Sequence, residues 1–150
     1  MSNNTTSSST AHGVLLLRVS LGIMFIAHSL VLKYMTFTLA GTAQYFESLG
    51  LPAFLAYATF FAELIGGILL VLGVQSRWVA LALLPVLAGA TWVHIGNGWV
   101  FSAPGGGWEY PLYLIVLSVA QALLGDGAYA LSPSTRLPLL SGSASLKPAV

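Results

Sequence analysis

Four stretches of this chain stay apolar long enough to cross a bilayer, and polar or turn-forming residues separate them. A hydrocarbon core of ~30 Å needs about 20 helical residues. Residues 14–33 (VLLLRVSLGIMFIAHSLVLK), 52–73, 78–96 and 109–131 each meet that length. Pro52 suits a helix start, Pro85 predicts a kink in the third helix, and "GDG" predicts fraying near the end of the fourth. "GTAQYFESLG" (41–50) is amphipathic and too short to span, so it predicts an interfacial helix, and 97–107 reads as a loop. The "VQSR" connection (74–77) is tight, which makes the second and third helices antiparallel neighbours. The expected fold is an all-α membrane protein, a four-helix transmembrane bundle over 14–131 with both termini on one side. A disordered polar tail (1–13) and a flexible C-terminal tail (132–150) flank it.

Composition leaves no soluble alternative. The chain is 57% hydrophobic and 6% charged, with a mean hydropathy of +0.87, whereas a soluble domain carries about 25% charged residues. The net charge of +1 provides no basic footprint for nucleic acid. With no cysteine, disulfides, thiolate metal sites and cysteine redox chemistry are excluded within the chain. The N-terminal tail lacks the Lys or Arg that opens a signal peptide, so the first apolar segment is expected to remain. "NTT" is too common a pattern to argue for glycosylation.

Charge placement orients the bundle. Arg18, Arg77, Arg136 and Lys147 fall on the side of the termini, against Lys33 alone opposite. Lys/Arg-rich short loops stay in the cytoplasm, which places both termini there. Trp99, Trp108, Tyr110, Tyr34 and Tyr45 then fall near the outer interface, with Trp78 and Tyr129 near the inner one.

Glu63 is the residue this pattern does not explain. It sits near the middle of the second span, where an intramembrane carboxylate points to function by default. At ~1.5 Å per residue it lies about 16 Å below the outer end of its helix, and His28 lies ~7 Å below the outer end of the first. Side chains lean toward their helix N-terminus, so Glu63 leans outward while His28 and His94 lean inward, converging on the outer half of the bundle. Arg18 either snorkels to the cytoplasmic face or pairs with Glu63 in the interior. It shares a stripe with Gly22, Phe25 and Ser29, while Thr59, Glu63, Gly66 and Gly67 share a face of the second span. The glycines Gly22, Gly66 and Gly67 allow close helix packing. Glu63, His28, Arg18 and His94 are therefore the candidate polar site. Lys33, Glu47 and Glu109 read as solvated or headgroup-facing, and Ser118 and Gln121 as hydrogen-bonding between helices. Two histidines and a carboxylate on three helices lack metal-site spacing, so no metal is expected. "APGGGWEY" has no lysine and no strand–loop–helix setting, which argues against a phosphate cradle.

The stretches "LLLRVSLGIMFIAHSLVLK", "YFESLGLP", "AELIGGILLVLGVQSR" and "GGWEYPLYLIVLSVAQALLGDGAYAL", in this order and spacing, resemble the DoxX family of small four-helix membrane proteins. Arg18, Gly22, His28 and Lys33 fall on that family's first-helix pattern, and Glu63, Gly66, Gly67, Gly73 and Arg77 on its second. The family takes its name from a subunit associated with terminal quinol oxidase and thiosulfate:quinone oxidoreductase systems. The resemblance implies a multi-pass protein of a bacterial or archaeal plasma membrane in a respiratory or redox setting. It supplies no catalytic mechanism.

The leading expectation is a redox-associated subunit that offers a quinone or partner-protein site within the bundle. A quinone headgroup needs donors, acceptors and a proton-exchanging group at membrane depth, and His28 and Glu63 are suitable types. No haem, flavin or iron–sulfur ligation pattern is present, so electrons would come from a membrane or soluble redox partner rather than from a stand-alone enzyme. Two alternatives remain: a non-catalytic anchor or assembly module for soluble redox enzymes, and a small transporter or channel built as a homo-oligomer. The topology is checked with C-terminal reporter fusions. A reporter that works only in the cytoplasm is expected, and one active only in the periplasm would invert the bundle.

Overall fold

A computed structural model describes residues 3–135 and 137; Arg136 is outside that set, as is the tail from 138 that includes Lys147. Among the described residues the fold is all-helical. Helix α1 spans Asn3–Ile26 and continues unbroken as a π-helix over Ala27–Thr36; α2 is Leu39–Ser48 and α3 is Phe54–Leu72. Then come α4 (Ser76–Ala82), α5 (Leu84–His94), a 3₁₀ turn (Ile95–Asn97) and α6 (Glu109–Leu124). Three stretches are long and apolar enough to span: Ser8–Thr36, Phe54–Leu72 and Ser76–Asn97. The shorter apolar helix Glu109–Leu124 completes the bundle. The protein is a helical membrane protein, as its composition requires.

The third span is broken at Leu83, two residues before Pro85, because proline has no N–H to offer the preceding turn. The segment at 41–50 forms α2 almost as expected. Its N-cap Thr38 adopts φ +62° and accepts a hydrogen bond from Gly41 N at 3.1 Å. Two expectations are corrected at the chain ends. The polar residues from Asn3 onward are helical, because a helix nucleated by the apolar span propagates into its flank. Ala128 N also donates to Ala11 O at 3.0 Å, and the His12 ring meets Tyr129 edge-on at 5.9 Å. The fourth helix, expected to reach 131, stops at Leu124, where Gly125 (φ +100°) turns the chain.

Residues 125–135 form a strap across the turn between α3 and α4. Leu131 N donates to Leu72 O, Ser132 N to Gly73 O and Gln75 N to Ser132 O, at 2.8–3.2 Å. The start of the expected flexible tail, 132–135, is thus tied down. Gly73 closes α3 in the left-handed conformation (φ +71°), with Gly73 N on Leu70 O and Val74 N on Leu69 O, which completes the Schellman pattern. Asp126 organises the strap. Its carboxylate accepts from Ser76 N (2.9 Å), Ser134 N (2.8 Å) and Ser134 Oγ (2.8 Å). The strap also joins the start of α1, so the described parts of the two termini lie at one end of the bundle. The loop at 98–108 lies at the other.

The core consists of Leu21, Phe25, Leu70, Ala80, Leu83, Leu87, Leu114 and Ala122. Its tightest seam joins α1 to α3. A Cβ on Gly22 would stand 2.7 Å from Gly67 O, and one on Gly67 would stand 2.7 Å from Gly22 O. Gly66 faces a different neighbour, the branched end of Leu83 at 2.9 Å.

Gly67→Ala is expected to lower thermal stability in detergent by about 1–3 kcal/mol, because rigid backbone must move. Gly66→Ala should cost less, since a leucine tip can rotate away; equal losses would show that the seam is not backbone-limited. Burial alone would raise the Asp126 pKa, but the hydrogen bonds from Ser134 and Ser76 outweigh it and hold the pKa below the ordinary value. A depressed native pKa stabilises fully above the unfolded value of about 4 and is lost as pH falls through the native one. Below about pH 4 the Asp126→Asn variant should therefore approach wild-type stability, and at neutral pH it should be less stable. A stability gap that widens on acidification would contradict this assignment.

Candidate functional site

Glu63 is 6% exposed and lies halfway along α3. Its partner is Lys33, whose Nζ stands 2.6 Å from Glu63 Oε2. This corrects the reading of Lys33 as a solvated or headgroup-facing residue, and the cause is local geometry. In the π-helix, backbone hydrogen bonds span five residues rather than four, as in Phe37 N→Leu32 O (2.9 Å). Residues five apart therefore stack on one face, so His28 and Lys33 share a side that α-helical periodicity would split. Thr42 of α2 caps the same segment, with its Oγ1 on Lys33 O at 3.3 Å and Thr38 O at 2.9 Å.

His28 joins this cluster within electrostatic range of Glu63. Its Nδ1 lies 2.9 Å from Met24 O, and a carbonyl can only accept, so Nδ1 carries a proton. Nε2 is left as the nitrogen that can take or give one. The imidazole stacks on Tyr110 at 5.8 Å with 18° between planes, and the Tyr110 hydroxyl meets Met24 Sδ. Tyr110 also lines a small apolar groove of about 150 Å³ between α1 and α6, together with Leu17, Ser20, Met24, Tyr113 and Leu117. The arrangement combines an ammonium, a carboxylate, an imidazole and a phenol in low-dielectric surroundings. It can donate to and accept from a polar headgroup and exchange protons with it.

The other two candidates stand elsewhere. Arg18 neither snorkels nor pairs with Glu63. It is 1% exposed, and its Nη1 and Nη2 donate to Asp126 O (2.8 Å) and Ala128 O (3.3 Å) at the strap end. Gly73 leaves the room its guanidinium needs. His94 ends α5, with Nδ1 2.7 Å from Ala90 O and its ring against Gly106 in the loop. Ser118 and Gln121 are fully buried, but Gln121 Nε2 donates to Gly125 O of its own helix end at 2.5 Å rather than across helices. Ser118 Oγ has no hydrogen-bond partner among the described residues.

Sequence reasoning missed Lys33 and Asp126. The signal for Lys33 was its sign, because a buried carboxylate calls for a cation and Lys33 is the nearest one on the first span's outer half. Asp126 lay between two glycines, a composition that marks a turn but not its partners.

Comparison with known proteins agrees with this architecture. The DoxX family model matches residues 13–95, which carry α1 from Gly13 onward, the π segment, α2, α3, α4 and α5. A protein of Bacillus subtilis (strain 168) named "Putative oxidoreductase CatD" is 38% identical over 122 residues, covering 81% of this chain and 85% of that protein. No solved structure matches the chain. With the family model spanning more than half of its length, and a relative of this identity over most of it, this chain belongs to the DoxX family of membrane proteins.

Proposed function

We propose that this protein is a redox-associated membrane subunit whose Lys33–Glu63–His28 cluster receives a quinone headgroup and handles its protons. The observation that carries the reading is the ion pair at 2.6 Å inside an apolar bundle. Replacing a buried pair with apolar residues is often neutral or stabilising, so a pair kept at this depth calls for another role. The residues fit the headgroup: Lys33 would donate to a carbonyl oxygen, and Glu63 and His28 would accept or release protons. The apolar groove beside Tyr110 suits part of a lipid-like chain. A bound quinone would supply the electron-accepting chemistry, with electrons delivered by a partner protein. The relative's name, an oxidoreductase, supports the redox setting. The plasma membrane of a bacterium or archaeon is the expected location.

Quinone that copurifies from native membranes tests this. Glu63→Gln and His28→Ala should each lower it on the order of tenfold while the fold persists, since a hydrogen bond to a charged group is lost. Unchanged retention in both variants would reject the site. Intact quinone with lost partner proteins would support the assembly-module reading instead. The pair itself is checked by a cycle. Lys33→Met alone leaves a buried charge and should cost about 3–5 kcal/mol, and adding Glu63→Leu should restore much of it. Simple additivity would show that the two side chains do not interact.

A further inference from the structure

A second cavity, of about 410 Å³, opens at the loop end of the bundle and is lined by Trp99, Glu109, Tyr110, Leu112, Tyr113 and Val116. Its Tyr110 and Tyr113 also line the groove between α1 and α6. Glu109, Leu112, Tyr113 and Val116 follow the i, i+3, i+4, i+7 spacing of one helical face, so they form a stripe descending α6. Over about 10 Å that stripe passes from a carboxylate through aromatic and aliphatic side chains. Trp99 is brought over its upper end by the loop.

The loop holds that shape itself. Trp108 N donates to Gly98 O (3.2 Å), and Glu109 N donates to Trp99 O (3.1 Å). Asn97 Nδ2 bridges Gly105 O (3.0 Å) and Gly106 O (2.9 Å). Gly107 sits so close to the carbonyls of Trp99 and Val100 that no side chain fits there. The Trp99 ring is set edge-on against Trp108 at 4.5 Å and 88°, and Tyr110 is fixed by its stacking on His28. Two of the three rings are thus positioned by protein contacts.

Glu109 brings the charge. One oxygen accepts from Phe101 N at 3.1 Å, and among the described residues Glu109 forms no ion pair. The described cations are engaged elsewhere: Lys33 on Glu63, Arg18 on strap carbonyls, and Arg77 on Ala122 O and Leu123 O. Aromatic faces attract organic ammonium groups through their quadrupoles, more so where the cation is partly desolvated. Aromatic side chains beside a carboxylate, above an apolar stripe, describe a receptor for an amphiphile with an ammonium head.

We propose that the Trp99–Glu109–Tyr110–Tyr113 cavity binds an organic ammonium group, with an attached alkyl chain lying along Leu112 and Val116. The same chemistry is available from an aminophospholipid headgroup or from a free ammonium compound. The test uses the full chain in nanodiscs of equal phosphatidylethanolamine and phosphatidylglycerol, with retained lipid read by native mass spectrometry. Wild type should retain phosphatidylethanolamine in preference to phosphatidylglycerol, whose net negative charge meets Glu109. Glu109→Gln should reduce that preference by about threefold or more, and so should Trp99→Leu, which leaves the carboxylate in place and alters a half-exposed ring. Displacement of the lipid by tetramethylammonium would mean that free cations enter; resistance to it would assign the site to lipid. Equal retention of both lipids by wild type overturns the proposal, as does an unchanged preference in either folded variant.

Discussion

At Gly22 and Gly67 the backbones of α1 and α3 touch, with each carbonyl standing where the other glycine's Cβ would be. Most of the interior depends on that approach. Helices this close carry their polar residues into each other's reach on either side of the contact. Toward the loop end, Lys33 meets Glu63. Toward the strap end, Arg18 passes Gly73 and reaches the carbonyls beyond α6. Any side chain at the seam would separate the backbones and pull both polar systems apart. In a bilayer no hydrophobic force drives helices together, so small residues that permit dispersion contacts do that work.

The two polar systems have different characters. The strap system is built on backbone carbonyls and a carboxylate that serves as a turn organiser, so its charges are consumed by structure. Arg18 there ties α1, beside the Gly73 end of α3, to the strap that follows α6. The loop-end system joins two side-chain charges with a histidine whose outer nitrogen is uncommitted. Its lysine is presented by a π-helix, a rare conformation that recurs at functional sites. The ion pair ties that π segment to α3.

Much of this was legible in the sequence because it follows from transfer free energy and helix length. The apolar runs located the spans, Pro85 located the break, and the glycines located a seam. Glu63 stood out as the residue in need of a partner. Its partner was hidden because periodicity arguments assume 3.6 residues per turn, and the π segment breaks that assumption without any residue announcing it. The partners of Arg18 are hidden for another reason. Its carbonyl acceptors belong to a strap more than a hundred residues away, and a carbonyl has no sequence signature. The end of α6 likewise comes earlier than the apolar run suggests, since "GDG" turns the chain back for hydrogen bonding instead of fraying.

The site depends most directly on Lys33 and Glu63 being in contact as charged groups. Lys33 and Lys147 are the lysines of this chain, so ¹⁵N-lysine labelling gives a nearly unique probe. Solid-state NMR of the protein in bilayers, with ¹³C-glutamate, reads dipolar coupling between a lysine Nζ and a glutamate carboxyl carbon. A strong coupling is expected, consistent with the 2.6 Å contact, and it should vanish in Glu63→Gln. Absence of that coupling in the wild-type protein would contradict the pairing and the site built on it.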